Sequence, residues 1–298
     1  MAFAKHAPAN LILASRTKSK LETVAKQISE QSPGEKPRLI VVDLGSLASV
    51  KDAAKEVFNL VGHIDILVNN AAVTSSERRE TIDGLESQFG TNYVGPFLFT
   101  HLLTPLLKAA STGGKPRPGM TRVVNVSSDG YKLSPIRFHD YNFEGKPVPV
   151  EEQPPPEIPS YMKPDPANGK NYYGFTAYGQ SKTANILHAM SIRQKLGKDG
   201  VQGFAVHPGT IWTDLSRSLD KTDYDFIKNF PAEWKTHDEG ISTILVAALD
   251  PKLAGQTDLV YLSDCQLEDV SDFAKDASVA EKLWELSEKL TGISAKLQ

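Results

Sequence analysis

The sequence contains a single cysteine, Cys265, among its 298 residues. One cysteine excludes an internal disulfide bond and any cluster of thiolate metal ligands. The seven histidines include no closely spaced pair, so the ligand spacing that is typical of zinc sites is missing as well. We therefore expect no metal centre, and we expect a cytosolic location.

A strong charge of one sign and long hydrophobic runs are also missing. The formal net charge is −3, from 33 lysines and arginines against 36 aspartates and glutamates. Because no basic run offsets this balance, we expect no nucleic-acid surface. No apolar run approaches the roughly 20 residues that cross a bilayer, and residues 1–10 lack the apolar core of a signal peptide. The hydrophobic content of 40% is ordinary for a folded domain.

Short apolar runs alternate with amphipathic stretches along the chain. The predicted strands cover residues 11–14, 38–42, 64–68, 122–126, 201–206 and 259–262. The predicted helices begin at 19 and near 50, and others cover 82–107, 178–195, 238–249 and 279–290. Continuous apolar strands that alternate with amphipathic helices are typical of a parallel sheet covered on both faces. The sequence therefore predicts one α/β domain over residues 1–298, built on a doubly wound parallel sheet.

One segment interrupts this alternation. Between residues 134 and 175 the chain carries nine prolines and several acidic residues. A stretch of this length without strands or helices is unusual in a compact domain and is generally either functional or disordered. We interpret it as an insertion that covers or rims a substrate pocket. A solvated surface excursion explains its composition nearly as well.

A tyrosine and a lysine in the second half of the chain carry the chemistry. Tyr178 and Lys182 are four residues apart, so they share one face of a helix. A lysine ammonium beside a phenol favours the phenolate, and we expect it to lower the pKa of Tyr178. Such a phenol can pass a proton near neutral pH, which hydride transfer to or from a carbonyl carbon requires. Ser128, at the end of a predicted strand, can hold the substrate oxygen.

Three segments in order resemble the motifs of the short-chain dehydrogenase/reductase family. They are Asn125-Val-Ser-Ser128, Tyr178-Gly-Gln-Ser-Lys182 and His207-Pro-Gly-Thr-Ile-Trp-Thr213. The likeness is strongest to the branch of retinol-dehydrogenase-like and fungal reductases, and it runs from Asn10 to about Leu290. It implies a Rossmann-type fold and an oxidoreductase with a nicotinamide dinucleotide and a small carbonyl or alcohol substrate. A homodimer through the two central helices is typical of the family.

The resemblance assigns roles to four catalytic positions. Tyr178 would be the proton donor or acceptor, and Lys182 would lower its pKa and hold the nicotinamide ribose. Ser128, rather than Ser127, would bind the substrate oxygen. Asn92, in Thr91-Asn-Tyr-Val-Gly95, would position a water molecule for proton relay.

Further residues match the cofactor-binding positions of the family. Asp43 and Leu44 would contact the adenine, and Asn70 and Ala71 belong to a cofactor-binding Asn69-Asn-Ala-Ala72. Ala72 stands where the family has glycine, which adds one methyl group beside the cofactor. The residues expected over the nicotinamide carboxamide are Pro208, Ile211 and Thr213.

The choice between NADP(H) and NAD(H) can be argued from charge. Dinucleotide folds that take NAD usually carry an acidic residue that binds the ribose 2′-hydroxyl. The matching stretch here, Ala14-Ser-Arg16-Thr17, has no acid. Arg16 can instead pair with a 2′-phosphate through a charge-assisted hydrogen bond. We therefore predict NADP(H) over NAD(H), with a solvated surface arginine as the alternative interpretation of Arg16.

The sequence departs from the family at its start. The family opens with a strand and a Gly-rich turn that cradles the pyrophosphate at a helix N-terminus. This sequence shows neither, so the predicted fold is N-terminally incomplete, with residues 11–14 and 38–42 separated from the strand at 64–68. Three explanations stay open: a start inside a longer natural chain, a shortened form without catalysis, or a rearrangement that closes the gap.

The sequence thus predicts an NADP(H)-dependent oxidoreductase that interconverts an alcohol and a carbonyl on a small, fairly apolar substrate. The alternative is a catalytically silent scaffold or regulatory protein, or a truncated product that cannot bind cofactor. A hydrolase is a third and weaker hypothesis, because Ser128 lacks the Gly-x-Ser-x-Gly surroundings of a nucleophile elbow.

Overall fold

A computed structural model describes residues 1–32, 34, 36–113, 119–256, 258 and 260–293. The strands in chain order are β1 (Ile12–Ser15), β2 (Arg38–Val41), β3 (Ile66–Asn69), β4 (Thr121–Val126), β5 (Val201–His207), β6 (Thr210–Ile211), β7 (Trp234–Lys235), β8 (Tyr261–Ser263) and β9 (Gln266–Glu268). The α-helices are α1 (Lys18–Gln31), α2 (Leu47–Leu60), α3 (Ser87–Phe89), α4 (Gly95–Thr112), α5 (Gly174–Leu196), α6 (Lys221–Lys228), α7 (His237–Leu249) and α8 (Ala277–Thr291).

The strands form three sheets: the pair β1 and β2, a larger sheet of five strands, and the short pair β6 and β7. β1 and β2 pair in parallel, and the larger sheet has the order β3-β4-β5-β8-β9. Its pairs are parallel except β8 with β9, which is antiparallel. Within the part of the chain that the structure describes, no strand joins β1 to β3. The gap expected between these strands is therefore present, and the residues after Asn10 do not rearrange to close it.

The larger sheet is covered on both faces, as the doubly wound prediction requires. Val123 of β4 packs against Leu107 of α4 and Ile192 of α5. The next residue, Val124, belongs to the cluster that contains Ala247 of α7. Since successive strand residues point to opposite faces, α4 and α5 lie on one side of the sheet and α7 on the other. The prediction of a single doubly wound α/β fold is confirmed.

The element positions agree with the sequence patterns, and most ends shift by one to a few residues. The last predicted strand, 259–262, is found as β8, and its Leu259 lies outside the described residues. The segment 82–107, predicted as mostly helix, is helical from residue 87 onward: α3 leads into a π-helical turn Gly90–Val94 and then α4. The carboxylate of Glu86 accepts hydrogen bonds from the amides of Gln88 and Phe89 and so caps this region at residue 87.

Helix α8 packs across α4 and α5. The Trp284 ring lies edge-on to Phe97, with 4.9 Å between ring centroids. The hydroxyl groups of Tyr93 and Ser287 are 2.6 Å apart and hydrogen-bonded. The buried tryptophan and this hydrogen bond hold α8 on α4 and on the π-helical turn before it.

The Pro-rich segment contains short 3₁₀ turns and several buried side chains. The buried pair Arg137 and Asp140 is joined by a contact of 3.3 Å. Gln180 of α5 is fully buried, and its amide accepts from the Arg137 N–H at 2.9 Å and donates to the Tyr141 carbonyl at 3.0 Å. Gln180 thus ties the start of the segment to the helix turn that carries Tyr178, and a wholly solvated excursion does not describe it.

Candidate active site

The candidate catalytic residues gather where β3, β4 and β5 end. Parallel strands place their carboxyl ends at the same edge of a sheet, which is where α/β folds bind ligands. Ser128 follows β4, and His207 ends β5. Helix α5 crosses this edge with Tyr178 and Lys182 one turn apart. The structure therefore brings Ser128, Tyr178 and Lys182 together, although 50 residues separate the serine from the tyrosine in sequence.

The two serines after β4 have different partners. Ser127 is buried, and its hydroxyl donates to the carbonyl oxygen of Lys182 at 2.8 Å. The hydroxyl of Ser128 instead accepts from the Gly130 amide at 3.0 Å and lies close enough to the Tyr178 phenol to lower its pKa. Ser127 is therefore a structural link between β4 and α5, and Ser128 is the serine that faces the tyrosine.

A glycine allows the Ser128 turn to approach Tyr178 closely. A Cβ at Gly130 would lie 3.1 Å from Cε1 of the Tyr178 ring. A Cβ at Gly179 would lie 2.9 Å from the carbonyl oxygen of Gly130. Since real Cβ contacts are rarely so short, the two glycines set the distance between the turn and α5.

Lys182 is buried among groups that do not carry a charge. Only 2% of its surface is exposed, and its ammonium donates to the Val126 carbonyl oxygen at 2.9 Å. Nζ lies 5.3 Å from the centre of the Tyr178 ring. Burial lowers the pKa of Lys182 to about 7, because a dry environment disfavours the ammonium form.

The expected lowering of the Tyr178 pKa is wrong for this structure. Burial raises the pKa of Tyr178 to about 12, and the Ser128 hydroxyl opposes this only in part. Lys182 does not reverse the effect, because its ammonium is directed at Val126 and is itself weakened by burial. At neutral pH the phenol is therefore protonated, a form suited to donating a proton.

Asn92 lies in the π-helical turn and is 2% exposed. Its side-chain oxygen accepts from the Val73 amide at 2.7 Å. Its side-chain nitrogen donates to the Val73 carbonyl at 2.9 Å and to the Ser181 hydroxyl at 3.0 Å. These partners connect the loop after β3 to α5 beside Tyr178. The carboxamide is thus occupied by protein atoms, and the water relay through Asn92 stays a prediction.

The residues expected to hold the adenine half of a cofactor follow β1 and β2. Arg16 is exposed just after β1. Asp43 follows β2, and its carboxylate accepts from the Gly45 amide at 2.9 Å. The carbonyl of Leu44 would lie 2.2 Å from a Cβ at Gly95, so α4 passes very close to this loop. Both positions therefore lie at strand ends, where a dinucleotide would bind.

The residues expected near the nicotinamide follow β3 and β5. Asn70 and Ala71 are exposed directly after β3. Ile211 lies in β6 and pairs with Lys235 of β7. Its side chain packs on Gly240, where an added Cβ would lie only 1.9 Å from Cδ1 of Ile211. The other two residues of this group, Pro208 and Thr213, flank β6.

A buried line of polar side chains behind the site was not anticipated. The Asn69 side chain donates to Asn125 at 2.8 Å, and Asn125 contacts Nδ1 of His188 at 3.2 Å. Burial, followed by the nearby His101, lowers the pKa of His188 to about 3. Asn69 and Asn125 end two neighbouring strands and are register partners. Two asparagines at corresponding strand ends are the sequence signal that could have predicted this contact. This line fixes the ends of β3 and β4 relative to α5.

These residues fit the nicotinamide half of a dinucleotide cofactor better than its pyrophosphate. Asn70 and Ala71 are exposed at the sheet edge beyond Tyr178 and Lys182, where ribose and carboxamide contacts would be made. Over the described residues, no Gly-rich turn opens a helix beside β1 to cradle phosphates. The same residues hold no cluster of three or more metal-ligating side chains, and their helices include none long and apolar enough to cross a bilayer.

Comparisons with known proteins identify relatives of the chain. The short chain dehydrogenase family model matches residues 2–142. Retinol dehydrogenase 14 from Mus musculus is 32% identical over 300 residues, which cover 96% of this chain and 79% of the relative. Short-chain dehydrogenase/reductase prx1 from Penicillium roqueforti is 30% identical over 291 residues, which cover 92% and 76% of the two chains.

Solved structures share the architecture. An uncharacterized protein from Mycobacterium Paratuberculosis superimposes with a TM-score of 0.63 at 27% identity, covering 98% of this chain and 87% of the other. A short-chain dehydrogenase from Sphingobium yanoikuyae in complex with NADPH gives a TM-score of 0.60 at 18% identity, covering 100% and 90%. The second likeness, at this low identity, supports the fold alone.

Proposed function

Because this chain belongs to the short-chain dehydrogenase family, in its retinol-dehydrogenase-like branch, we propose that it interconverts an alcohol and a carbonyl with NADP(H). Family membership makes the chain an oxidoreductase of the NAD(P)-binding type. The proposal goes further, to a small and fairly apolar substrate. The observation that carries it is the close approach of the Ser128–Gly130 turn to the Tyr178 ring, with Lys182 one helix turn away.

In the reductive direction, Ser128 would hold the carbonyl oxygen and Tyr178 would donate its proton to it. When bound, the nicotinamide would supply a hydride to the carbonyl carbon. A raised pKa suits Tyr178 to this task, since it keeps the phenol protonated at neutral pH. Lys182, together with a water held by Asn92, would then replace the proton on the phenolate.

The cofactor would extend along the sheet edge past the ends of β3, β2 and β1. Lys182 would bind the nicotinamide ribose, and Asp43 with Leu44 would contact the adenine. Arg16 supports NADP(H) over NAD(H), since it is an exposed cation where an acidic residue would favour NAD. The residues proposed to surround the nicotinamide are Asn70, Ala71, Pro208, Ile211 and Thr213.

The proposal includes a cytosolic location and no nucleic-acid partner, both from the sequence argument. A homodimer through α4 and α5 would have to form beside α8, which already packs across these helices. Analytical ultracentrifugation tests the homodimer, and cell fractionation tests the cytosolic location.

The test is replacement of Tyr178 by phenylalanine. We expect Tyr178→Phe to abolish NADPH-linked reduction of a panel of apolar aldehydes and ketones, with a loss above about a hundredfold. NADPH affinity should change little, because the ring remains. Tyr161→Phe is the matched control, since Tyr161 is 71% exposed. Turnover within about tenfold of the unmodified chain would overturn the proposed role.

A catalytically silent protein is the second candidate, and the separation of β1 and β2 from the larger sheet favours it. Titration with NADPH and with NADH, followed by tryptophan fluorescence and the melting midpoint, distinguishes the two. A saturable NADPH response supports the enzyme. No response to either dinucleotide from a folded chain supports the silent protein.

A further inference from the structure

A histidine at the end of β5 contacts the backbone of the turn that carries Ser128. β4 and β5 are parallel neighbours with Val126 opposite Val206, so the residues that follow both strands are adjacent. The Ser127 amide donates to the Val206 carbonyl at 2.8 Å and extends this ladder by one bond. The next contact is made by a side chain: the amide of Asp129 donates to Nδ1 of His207 at 3.3 Å.

We propose that His207 is a positioning residue, which holds the Asp129 amide and thereby directs the Ser128 hydroxyl toward Tyr178. The inference rests on the proposed reductase function. Ser128 precedes Asp129, and its hydroxyl accepts from the Gly130 amide at 3.0 Å. The direction of this hydroxyl is thus set by the backbone conformation of residues 128–130. The Asp129 amide is in the middle of that backbone segment, so a contact that fixes this amide also fixes the hydroxyl.

The rest of the turn is held by other groups. The Tyr261 hydroxyl donates to the Asp129 carboxylate at 3.1 Å, and the Lys132 ammonium lies 3.3 Å from the same carboxylate. The Tyr131 amide donates to the Ser128 carbonyl at 3.0 Å. These contacts hold the carboxylate and the start of the 3₁₀ turn Asp129–Leu133. Among the described hydrogen bonds, the acceptor for the Asp129 amide is Nδ1 of His207.

The contact depends on the protonation of His207. Nδ1 accepts a hydrogen bond only while it carries no proton. Burial lowers the pKa of His207, the Asp129 carboxylate raises it, and the ammonium groups of Lys235 and Lys132 lower it. The net direction is down, so the ring is neutral at pH 7 and the contact is intact. Acidification should break it and turn Ser128 away.

The first experiment compares His207→Ala with His207→Asn. The Asn side-chain oxygen occupies nearly the place of His Nδ1, so it keeps the acceptor but cannot be protonated. A misplacement of about 1 Å can cost about a hundredfold in rate. We expect His207→Ala to lower kcat by about tenfold or more, with NADPH affinity and melting midpoint little changed, and His207→Asn to restore kcat to within about threefold.

The pH profile separates this role from a purely structural one. In the unmodified chain, kcat should fall at acidic pH as His207 is protonated. This acidic limb of the pH profile should be missing in His207→Asn. Equal kcat for His207→Asn and His207→Ala, or an acidic limb that persists in His207→Asn, would overturn the inference.

A second pair of variants removes the donor instead of the acceptor. Proline at position 129 has no N–H, and it suits the first residue of a helical turn that follows an extended residue. Ser128 is extended, with φ −170° and ψ 156°. Asp129→Ala is the matched control, since it loses the carboxylate but keeps the amide. We expect the kcat of Asp129→Pro to be lower than that of Asp129→Ala, by about the same factor by which His207→Ala lowers kcat.

The double variant and an NMR measurement close the test. His207→Ala in the Asp129→Pro background should cause no further loss, because donor and acceptor form one bond. In ¹⁵N-histidine spectra, the pKa of His207 should be higher in Asp129→Pro than in Asp129→Ala. An unmodified chain that reduces no carbonyl overturns the reductase and this inference together. An active unmodified chain with additive losses, or with equal His207 pKa values, overturns this inference alone.

Discussion

The ammonium group of Lys182 donates a hydrogen bond to the carbonyl oxygen of Val126 at 2.9 Å. Lys182 is thereby held at the end of β4, in the same turn region that presents Ser128. The lysine therefore connects the strand to α5 and does not act on Tyr178 alone. Its burial has a measurable consequence, because a buried ammonium without a carboxylate partner destabilises the folded state when it is charged.

Stability should depend on pH through Lys182. The folded-state pKa is lowered to about 7, while an unfolded lysine titrates near about 10.4. Between these values the unfolded chain binds more protons, so the free energy of unfolding should rise with pH, by at most about 1.4 kcal/mol per pH unit. Urea unfolding at about pH 7, 8 and 9 measures this slope. Lys182→Met should flatten it, and Lys55→Met, at an exposed lysine, should not.

The two serines after β4 should separate catalysis from stability. Ser128→Ala removes the hydroxyl that lowers the Tyr178 pKa and that is proposed to hold the substrate oxygen, so it should raise that pKa further and, through the lost oxygen contact, reduce kcat by about a hundredfold. Ser127→Ala removes the bond to the Lys182 carbonyl and should cost about 1 kcal/mol of unfolding free energy. Kinetic pH profiles and urea unfolding of both variants check this. An intact kcat in Ser128→Ala would count against the site.

Arg16 should decide between the two dinucleotides. Loss of one charge-assisted hydrogen bond is worth about 1.5–3 kcal/mol, so Arg16→Ala should weaken NADPH binding by about tenfold or more. NADH binding should stay the same, since NADH carries no 2′-phosphate. Fluorescence titration measures both affinities. Arg79→Ala is the control, at a mostly exposed arginine, and an equal loss for both dinucleotides would contradict the prediction.

Trp284 should anchor α8. It is 5% exposed, lies on Phe97 and donates from its indole to Glu288 at 2.8 Å. Trp284→Ala should lower the free energy of unfolding by about 3–5 kcal/mol. Trp212→Ala, at a tryptophan that is 41% exposed, should cost much less. Chemical denaturation of the two variants tests this difference.

Local patterns predicted the main helices and strands and the residues that gather at the candidate site, but not α6 or the short strands β6, β7 and β9. Helical spacing predicted that Tyr178 and Lys182 share a helix face, and apolar runs predicted β4 and β5. The segment 82–107 is mostly helical, as predicted, but its helix begins only at residue 87, because the carboxylate of Glu86 caps it there, and the apolar periodicity does not mark that start. The Pro-rich segment gave no periodic pattern, so its anchor on Gln180 was not predictable.

The sequence by itself predicted the order of the main strands and helices and the residues proposed to carry the chemistry, because the periods of strands and helices depend on near neighbours. The tertiary structure alone decided how those residues are tuned. Burial reversed the expected direction of the Tyr178 pKa, and strand register brought His207 onto the Asp129 amide. Desolvation and contacts between distant segments depend on the packed structure, and no local pattern encodes them.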